Sequence, residues 1–308
     1  MKLDTSNWQP SCFGRWQISL QAEAKITESY EWGDTRDRNG QLVYQPKFNK
    51  ELVKIEADKR ETELRSQKHR TKGDMLLRRI DQPNGGRTLM FWSRPYSDIM
   101  YQLDSWLITP EGSVYTYKSE LAHEMFDEKF IREKEIYLAQ NLRSRKAHQL
   151  PPAPAFCVEN GMVMGTKNTI EIVRNYILFP ALPGLSLDFS STIIGKKQPS
   201  LLERTGGLGP RFASLLTHSS TLRRGTRQIG NLKAEELALK IQSDGKVVHS
   251  FTLNIPGQID SVLAPELNLY LNTDVRDSSG QVIGTPFASD EDALAFWDAL
   301  VSGLKLHH

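Results

Sequence analysis

The chain has 308 residues, with 39 lysines and arginines against 37 aspartates and glutamates, a formal net charge of +2, 39% hydrophobic residues and two cysteines. That length suits two cores, because single cores stop growing near about 250 residues. The charge is too small for a chain built to neutralise nucleic-acid phosphates, two cysteines exclude a disulfide-rich scaffold or a four-cysteine zinc site, and no run approaches the roughly 18–20 apolar residues of a membrane span.

Met1-Lys2 leads into Leu3-Asp4-Thr5-Ser6-Asn7, which lacks the apolar core of a signal peptide. Read literally, this opening is cytoplasmic. The closing Leu306-His307-His308 suits the remnant of a purification tag, so those histidines stay out of any metal reading. Arg15–Leu20 alternates polar and apolar residues with the period of a half-buried strand. Residues 48–70 read as a charged helix with a short apolar stripe of Phe48, Leu52 and Ile55 and with surface pairs Glu56/Arg60 and Glu61/Arg65. A solvated helix fits this charge better than one lying on a membrane. Strands are expected at 75–80, 88–92, 100–108 and 113–117, separated by Pro83-Asn84-Gly85-Gly86 and Pro110-Glu111-Gly112 turns. A second helix is expected over about 120–145, with Ala122, Phe126, Phe130 and Tyr137 at near-helical spacing and Arg143, Arg145 and Lys146 in its last turn.

His148-Gln149-Leu150-Pro151-Pro152-Ala153-Pro154-Ala155 reads as a short, stiff connector, since its prolines remove backbone donors and favour extended geometry. Strands follow near 157, 170–179 and 186–194. Ser200-Leu201-Leu202-Glu203 has capping-box spacing for a short helix. Further strands are expected at 227–229, 237–242, 247–255 and 267–271. The chain closes on a helix capped by Ser289, with Ala293, Phe296, Trp297, Leu300, Val301 and Leu304 along one face. Strand groups and helix groups separate more than they alternate. The reading is therefore α+β: two domains, 1–148 and 156–308, each a mainly antiparallel sheet packed with helices, joined by the Pro-rich linker 149–155.

The chain shows no nucleophile elbow, phosphate-binding loop or zinc-protease helix motif. Gly206-Gly207-Leu208-Gly209 followed by Pro210 reads as a loop. His69, His123, His148, His218 and His249 lack metal-ligand spacing, and Asp260-Ser261 and Ser190-Ser191 read as turn and strand-edge residues. No enzyme, cofactor or metal is implied. Cys12 and Cys157 stand near the first strand of each half. They are either two separate small buried residues or one interdomain disulfide, which requires Cα atoms within about 7 Å and an oxidising compartment. The strand Leu89-Met90-Phe91-Trp92 is apolar on both faces. If helices cover one sheet face only, the other offers Trp92, Tyr96 and Trp106 beside Arg94, a mix typical of protein-interface hot spots. If both are covered, these are core residues.

Cys12-Phe13-Gly14-Arg15, leading into an alternating strand, resembles the opening of a bacterial family of type VI secretion immunity proteins that protect against lipase effectors. Gln21 follows Leu20 where that pattern has proline. The second half resembles the family's C-terminal domain through Phe156-Cys157-Val158-Glu159-Asn160-Gly161, Phe189-Ser190-Ser191, the run Leu222-Arg223-Arg224-Gly225-Thr226-Arg227-Gln228-Ile229-Gly230-Asn231-Leu232, Ala234-Glu235-Glu236, Phe251, Pro256-Gly257, Asp260-Ser261, Pro265 and the Trp297 helix. The resemblance implies a two-domain, non-catalytic periplasmic antitoxin whose partner is a cognate phospholipase effector, and it implies that a signal peptide is missing from this chain. The glycine-arginine landmarks fit turn and strand-pairing signatures rather than partner contacts. An exported lipid- or small-ligand-binding protein is the alternative, and a degenerate hydrolase using Ser261 is a third reading.

Overall fold

A computed structural model describes residues 3–34, 37–152, 154–206, 219–243, 245–276 and 278–307. Gly207, Leu208, Gly209, Pro210 and His218 lie outside the described residues. The fold is sheet-rich α+β with mainly antiparallel strand pairing, and among the described residues an isolated bridge between Ile194 and Ile259 is parallel. None of the helices described is long and apolar enough to cross a membrane.

The chain divides into two compact units, one made of residues 1–28 and 172–308 and the other of 29–171. These ranges differ from 1–148 and 156–308. The proline run joins β12 (Leu142–Ser144) to β13 (Ala155–Val158), and both strands pair with β14 (Gly161–Met164). Residues 149–155 therefore connect two strands of one small sheet inside the second unit.

That inserted unit is built on antiparallel strands in the order β4 (Tyr30–Gly33), β5 (Asp37–Tyr44), β11 (Val114–Ala122), β10 (Ser97–Ile108), β9 (Arg87–Arg94) and β8 (Leu76–Asp81). On one face lies α1 (Lys50–Ser66), on the other α2 (Glu128–Asn141). Asn49 caps α1 by accepting the Leu52 N–H at 2.9 Å. Its buried side is Val53, Ala57, Glu61 and Leu64, whereas Leu52 and Ile55 of the expected stripe are 39% and 54% exposed. The helix is turned because polar contacts fix its phase. Arg87 on β9 bonds to Asp58 and Glu61, Arg65 reaches Glu61 at 2.7 Å, and Arg60 pairs with Asp104 on β10 at 3.1 Å. The second helix starts only at its cap, Asp127, which accepts the Phe130 N–H at 3.1 Å. Residues 120–122 instead extend β11, where the 12-residue strand β10 offers partners as far as Met100↔Ala122. Buried Glu135 anchors α2 to the sheet by accepting the Thr88 and Ser105 hydroxyls at 2.9 and 2.7 Å.

In the other unit the strand order is β17 (Ser219–Ile229), β18 (Leu232–Ser243), β19 (Lys246–Ile255), β20 (Glu266–Asn272), β16 (Ser186–Thr192) and β15 (Ile170–Leu178), with β3 (Lys25–Thr27) also on β15. The hairpin β1 (Trp8–Phe13) and β2 (Trp16–Gln21) closes the core, because Trp16, Ile18 and Leu20 all point inward. Trp16 Nε1 donates to Ser191 Oγ at 3.0 Å, and Phe13 meets Phe189 edge-on at 5.2 Å. A short helix, α3 (Leu201–Gly206), has the expected capping box, with Ser200 and Glu203 exchanging side-chain bonds to each other's backbone N–H. The terminal helix α4 (Asp290–Ser302) is capped by Ser289 and buries Ala293, Phe296, Trp297, Leu300 and Val301. Strand β21 (Lys305–Leu306) pairs with β2, and the His307 N–H donates to Arg15 O at 2.8 Å, so Leu306 and His307 are tied into the fold.

The Arg223–Leu232 landmark gains a physical role here. Arg223 and Arg227 project from β17 to Asp298 on α4, at 2.6 and 2.9 Å, and to buried Glu236 on β18, at 3.4 and 3.0 Å. Trp297 Nε1 also donates to Glu236. The two arginines thus clamp the terminal helix to the sheet.

Candidate functional site

Strands β9 and β10 form a hairpin whose tip is Arg94-Pro95-Tyr96-Ser97, held at its side by the Arg70 N–H donating to Pro95 O at 2.7 Å. Because side chains alternate along a strand, Met90 and Trp92 face α2 while Leu89 and Phe91 face α1, so both sheet faces are covered. Trp92, 4% exposed, is a core residue. It lies 4.5 Å from the Tyr101 ring, 5.0 Å from His69 and 5.5 Å from His123, the last in a stacked arrangement. His69 Nδ1 accepts the Lys72 N–H at 3.1 Å. Trp92 Nε1 and His69 Nε2 are buried with no hydrogen-bond partner among the described residues. Trp106 sits on the opposite face, half-buried against Leu89 and Phe91. The four aromatic and arginine candidates therefore do not share one surface. Trp92 is core on one face, Trp106 is half-buried on the other, and Arg94 and Tyr96 are exposed at the tip.

Around that tip the structure gathers residues that no spacing in the sequence links. Tyr96 and Ile99 are 70% and 69% exposed, and Met125 and Phe126, which follow β11, are also exposed. Phe126 meets Tyr101 edge-on at 5.5 Å, so exposed apolar residues of the hairpin and of the start of α2 flank one aromatic cluster. Its rim is charged: Lys72 pairs with Asp98 at 3.3 Å. That hydrogen bond holds the Asp98 carboxyl below its ordinary value, while burial, reinforced by Asp98, pushes the Tyr101 phenol up. An exposed aromatic and methionine patch over a rigid aromatic base, rimmed by charge, is the anatomy of a protein-binding surface. Only Trp92 and Tyr96 were legible as candidates, because pairing of β10 with both β9 and β11 is what delivers Ile99, Met125 and Phe126.

Other polar clusters among the described residues hold elements together. His249 Nε2 lies 2.8 Å from Asp290 Oδ1, and Lys240 donates to Asp290 Oδ2 at 2.9 Å, beside a cavity of about 310 Å³. The pair resembles part of a catalytic triad, but Ser289 in the same cavity is occupied as the α4 cap, its Oγ accepting the Asp292 N–H at 3.1 Å. Ser191 accepts from Trp16, and Asp260 takes a positive φ of 53° in a turn where its N–H donates to Ile194 O. Among the described residues no three His, Cys, Asp or Glu side chains converge as a metal site. Cys12 on β1 and Cys157 on β13 are both fully buried.

No curated protein matches the chain. Among solved structures it is similar to a chain in the crystal structure of the Tle4-Tli4 complex, at 30% identity and a TM-score of 0.88 over 99% of both chains. It is also similar to the apo immunity protein TplEi of the type VI secretion system from Pseudomonas aeruginosa, at 29% identity and a TM-score of 0.87 over 99% of this chain and 98% of that one. The same immunity protein complexed with "L" peptide matches at 28% identity and a TM-score of 0.83 over 99% of each chain. Residues 149–308 match the family model of the Tle cognate immunity protein 4 C-terminal domain, which opens where the proline run does. With a family model spanning half its length and a full-length structural match, the chain belongs to the Tle cognate immunity protein 4 family.

Proposed function

We propose that this chain is a non-catalytic immunity protein that binds a cognate type VI secretion phospholipase effector in the periplasm and inhibits it, sparing the producing cell. The observation that carries this reading is family membership joined to the full-length likeness to a chain of the Tle4-Tli4 complex. The patch of Tyr96, Ile99, Met125 and Phe126, with Arg94 at its edge and Trp92 beneath, is the surface offered to that partner. A nanomolar complex corresponds to about −12 kcal/mol and requires an interface of roughly 1,600 Å², so this patch is a centre of contact within a wider one. Titrating the purified chain into a phospholipase assay of the effector tests the proposal. Loss of activity at equal molar ratio is the expected result, whereas full activity together with a lipid co-purifying with the chain would favour the ligand-binding alternative.

A Cys12–Cys157 disulfide is part of the same proposal, since it calls for the oxidising compartment. Its support is that both side chains are buried and neither is a free thiol. Alkylation of the denatured chain should label no cysteine before reduction and both afterwards. Labelling without reductant would overturn the bond.

A further inference from the structure

The register of the unit formed by residues 1–28 and 172–308 places Thr27, Tyr176, Asp188, Tyr270 and Thr252 directly opposite one another across β3, β15, β16, β20 and β19. Neighbours in such a row have Cβ atoms about 5 Å apart, so Asp188 stands between Tyr176 and Tyr270 on the sheet. Tyr176 is 38% and Tyr270 40% exposed, and Asp188 is exposed too, which leaves this side of the row uncovered. The opposite side carries the core residues Leu187, Phe189, Leu269 and Leu271.

The Asp188 side chain makes no hydrogen bond or ion pair among the described residues. Partial burial pushes its carboxyl above the ordinary value, with no neighbouring donor or cation acting against that shift. Arg174, the nearest arginine in register, stands opposite Ser190 one row along and is engaged elsewhere. In that next row Asn254 Nδ2 donates to Asn268 Oδ1 at 2.8 Å and to Glu266 Oε1 at 3.1 Å, so those polar groups satisfy each other. Among the described residues, Asp188 is thus an exposed carboxylate with no side-chain partner, standing in register between two tyrosines.

We propose that the Tyr176–Asp188–Tyr270 row is a docking point for an arginine side chain presented by the effector. This rests on the immunity reading and adds a second contact to the hairpin-tip patch. A guanidinium can lie against tyrosine within about 6 Å of a ring centroid while donating two parallel N–H bonds to one carboxylate. A quaternary ammonium head group has no N–H to donate, so the row favours a protein arginine over a choline lipid.

The test has two arms. In the first, a blocked tetra-arginine peptide is titrated against the full chain, with the Tyr176 and Tyr270 ring signals and the backbone amide of residue 188 followed by NMR. These signals should shift and saturate, with affinity falling about tenfold in Asp188→Asn, falling likewise in Tyr176→Leu/Tyr270→Leu, and persisting in Asp188→Glu. Unmoved tyrosines, an Asp188→Asn chain that binds equally well, or phosphocholine binding as tightly as the peptide would each overturn the proposal. In the second arm, wild type and Asp188→Asn are compared as inhibitors of the effector. A roughly tenfold weaker inhibition constant for Asp188→Asn is expected, and an unchanged one overturns the contact. A wild-type chain that inhibits no phospholipase yet binds the peptide would instead overturn the immunity reading and the identity of the partner, leaving the guanidinium site standing.

Discussion

Trp92 and Tyr96 are four positions apart and should behave oppositely. Removing the buried indole leaves a cavity beneath the hairpin, so Trp92→Ala should cost about 3–5 kcal/mol of stability. Tyr96 is mostly in solvent, so Tyr96→Ala should leave the unfolding free energy within about 0.5 kcal/mol of wild type and weaken effector binding by about tenfold or more. Parallel urea melts and binding titrations separate the two, and a destabilised Tyr96→Ala would remove that residue from the contact surface. Asp188 carries a second test of the same kind. Its carboxyl is raised in the folded chain, so the stability it contributes is present at acid pH and lost as pH rises through the folded value. Asp188→Asn should therefore melt higher than wild type at neutral pH, with the difference closing below about pH 4, where the aspartate is protonated in either state. A variant that gains stability while losing affinity marks a residue kept for binding.

At the scale of elements, Glu236 is the joint between β17, β18 and α4. Glu236→Ala would strand the Trp297 N–H and leave two guanidiniums facing a buried void, at a cost of about 3 kcal/mol or more. Chemical denaturation measures it, and a loss below about 1 kcal/mol would mean that the arginines repair the clamp through Asp298 alone. Asp298 makes that clamp acid-sensitive. The Arg223 hydrogen bond holds its carboxyl below the ordinary 3.8, so its contribution is complete above that value and disappears as pH falls through the lower, folded one.

Elements with a strong local signature were legible in the sequence. Ser289 and the Ala293–Val301 face define α4 on their own, and Ser200 with Glu203 defines α3. Where an outside contact decides, local pattern fails. The exposed Leu52 and Ile55 outrank Val53 and Ala57 in hydrophobicity, yet Arg87 and Asp104 on the sheet settle which side of α1 turns inward. The same holds for function. Trp92 and Tyr96 could be picked out as residue types, but the grouping of Tyr96 with Phe126, and of Tyr176 with Tyr270 around Asp188, exists only through strand register, which no single segment encodes.

For the whole molecule, the family match and the compact units divide the chain differently, and this has a testable result. A fragment of residues 149–308 contains the matched domain but lacks β1, β2 and β3. It therefore exposes the surfaces that Phe13, Trp16 and Trp8 cover, the last of which packs on Phe296 at 5.3 Å. Such a fragment should give a poorly dispersed NMR spectrum, and fusing residues 1–28 to it should restore dispersion. A well-folded fragment without the hairpin would show that β1 and β2 are dispensable to that core.

The pairing of β2 with β21, Trp16 opposite Leu306, also sets a timetable. During synthesis the first strands emerge nearly three hundred residues before the strand that completes their sheet, while residues 29–171 hold every strand of their own unit and can fold as they leave the ribosome. The chain's opening must therefore wait, unpaired on one edge, until its last residues arrive. Nascent chains stalled after residue 171 and probed by limited proteolysis should show a protected middle behind a cleavable head.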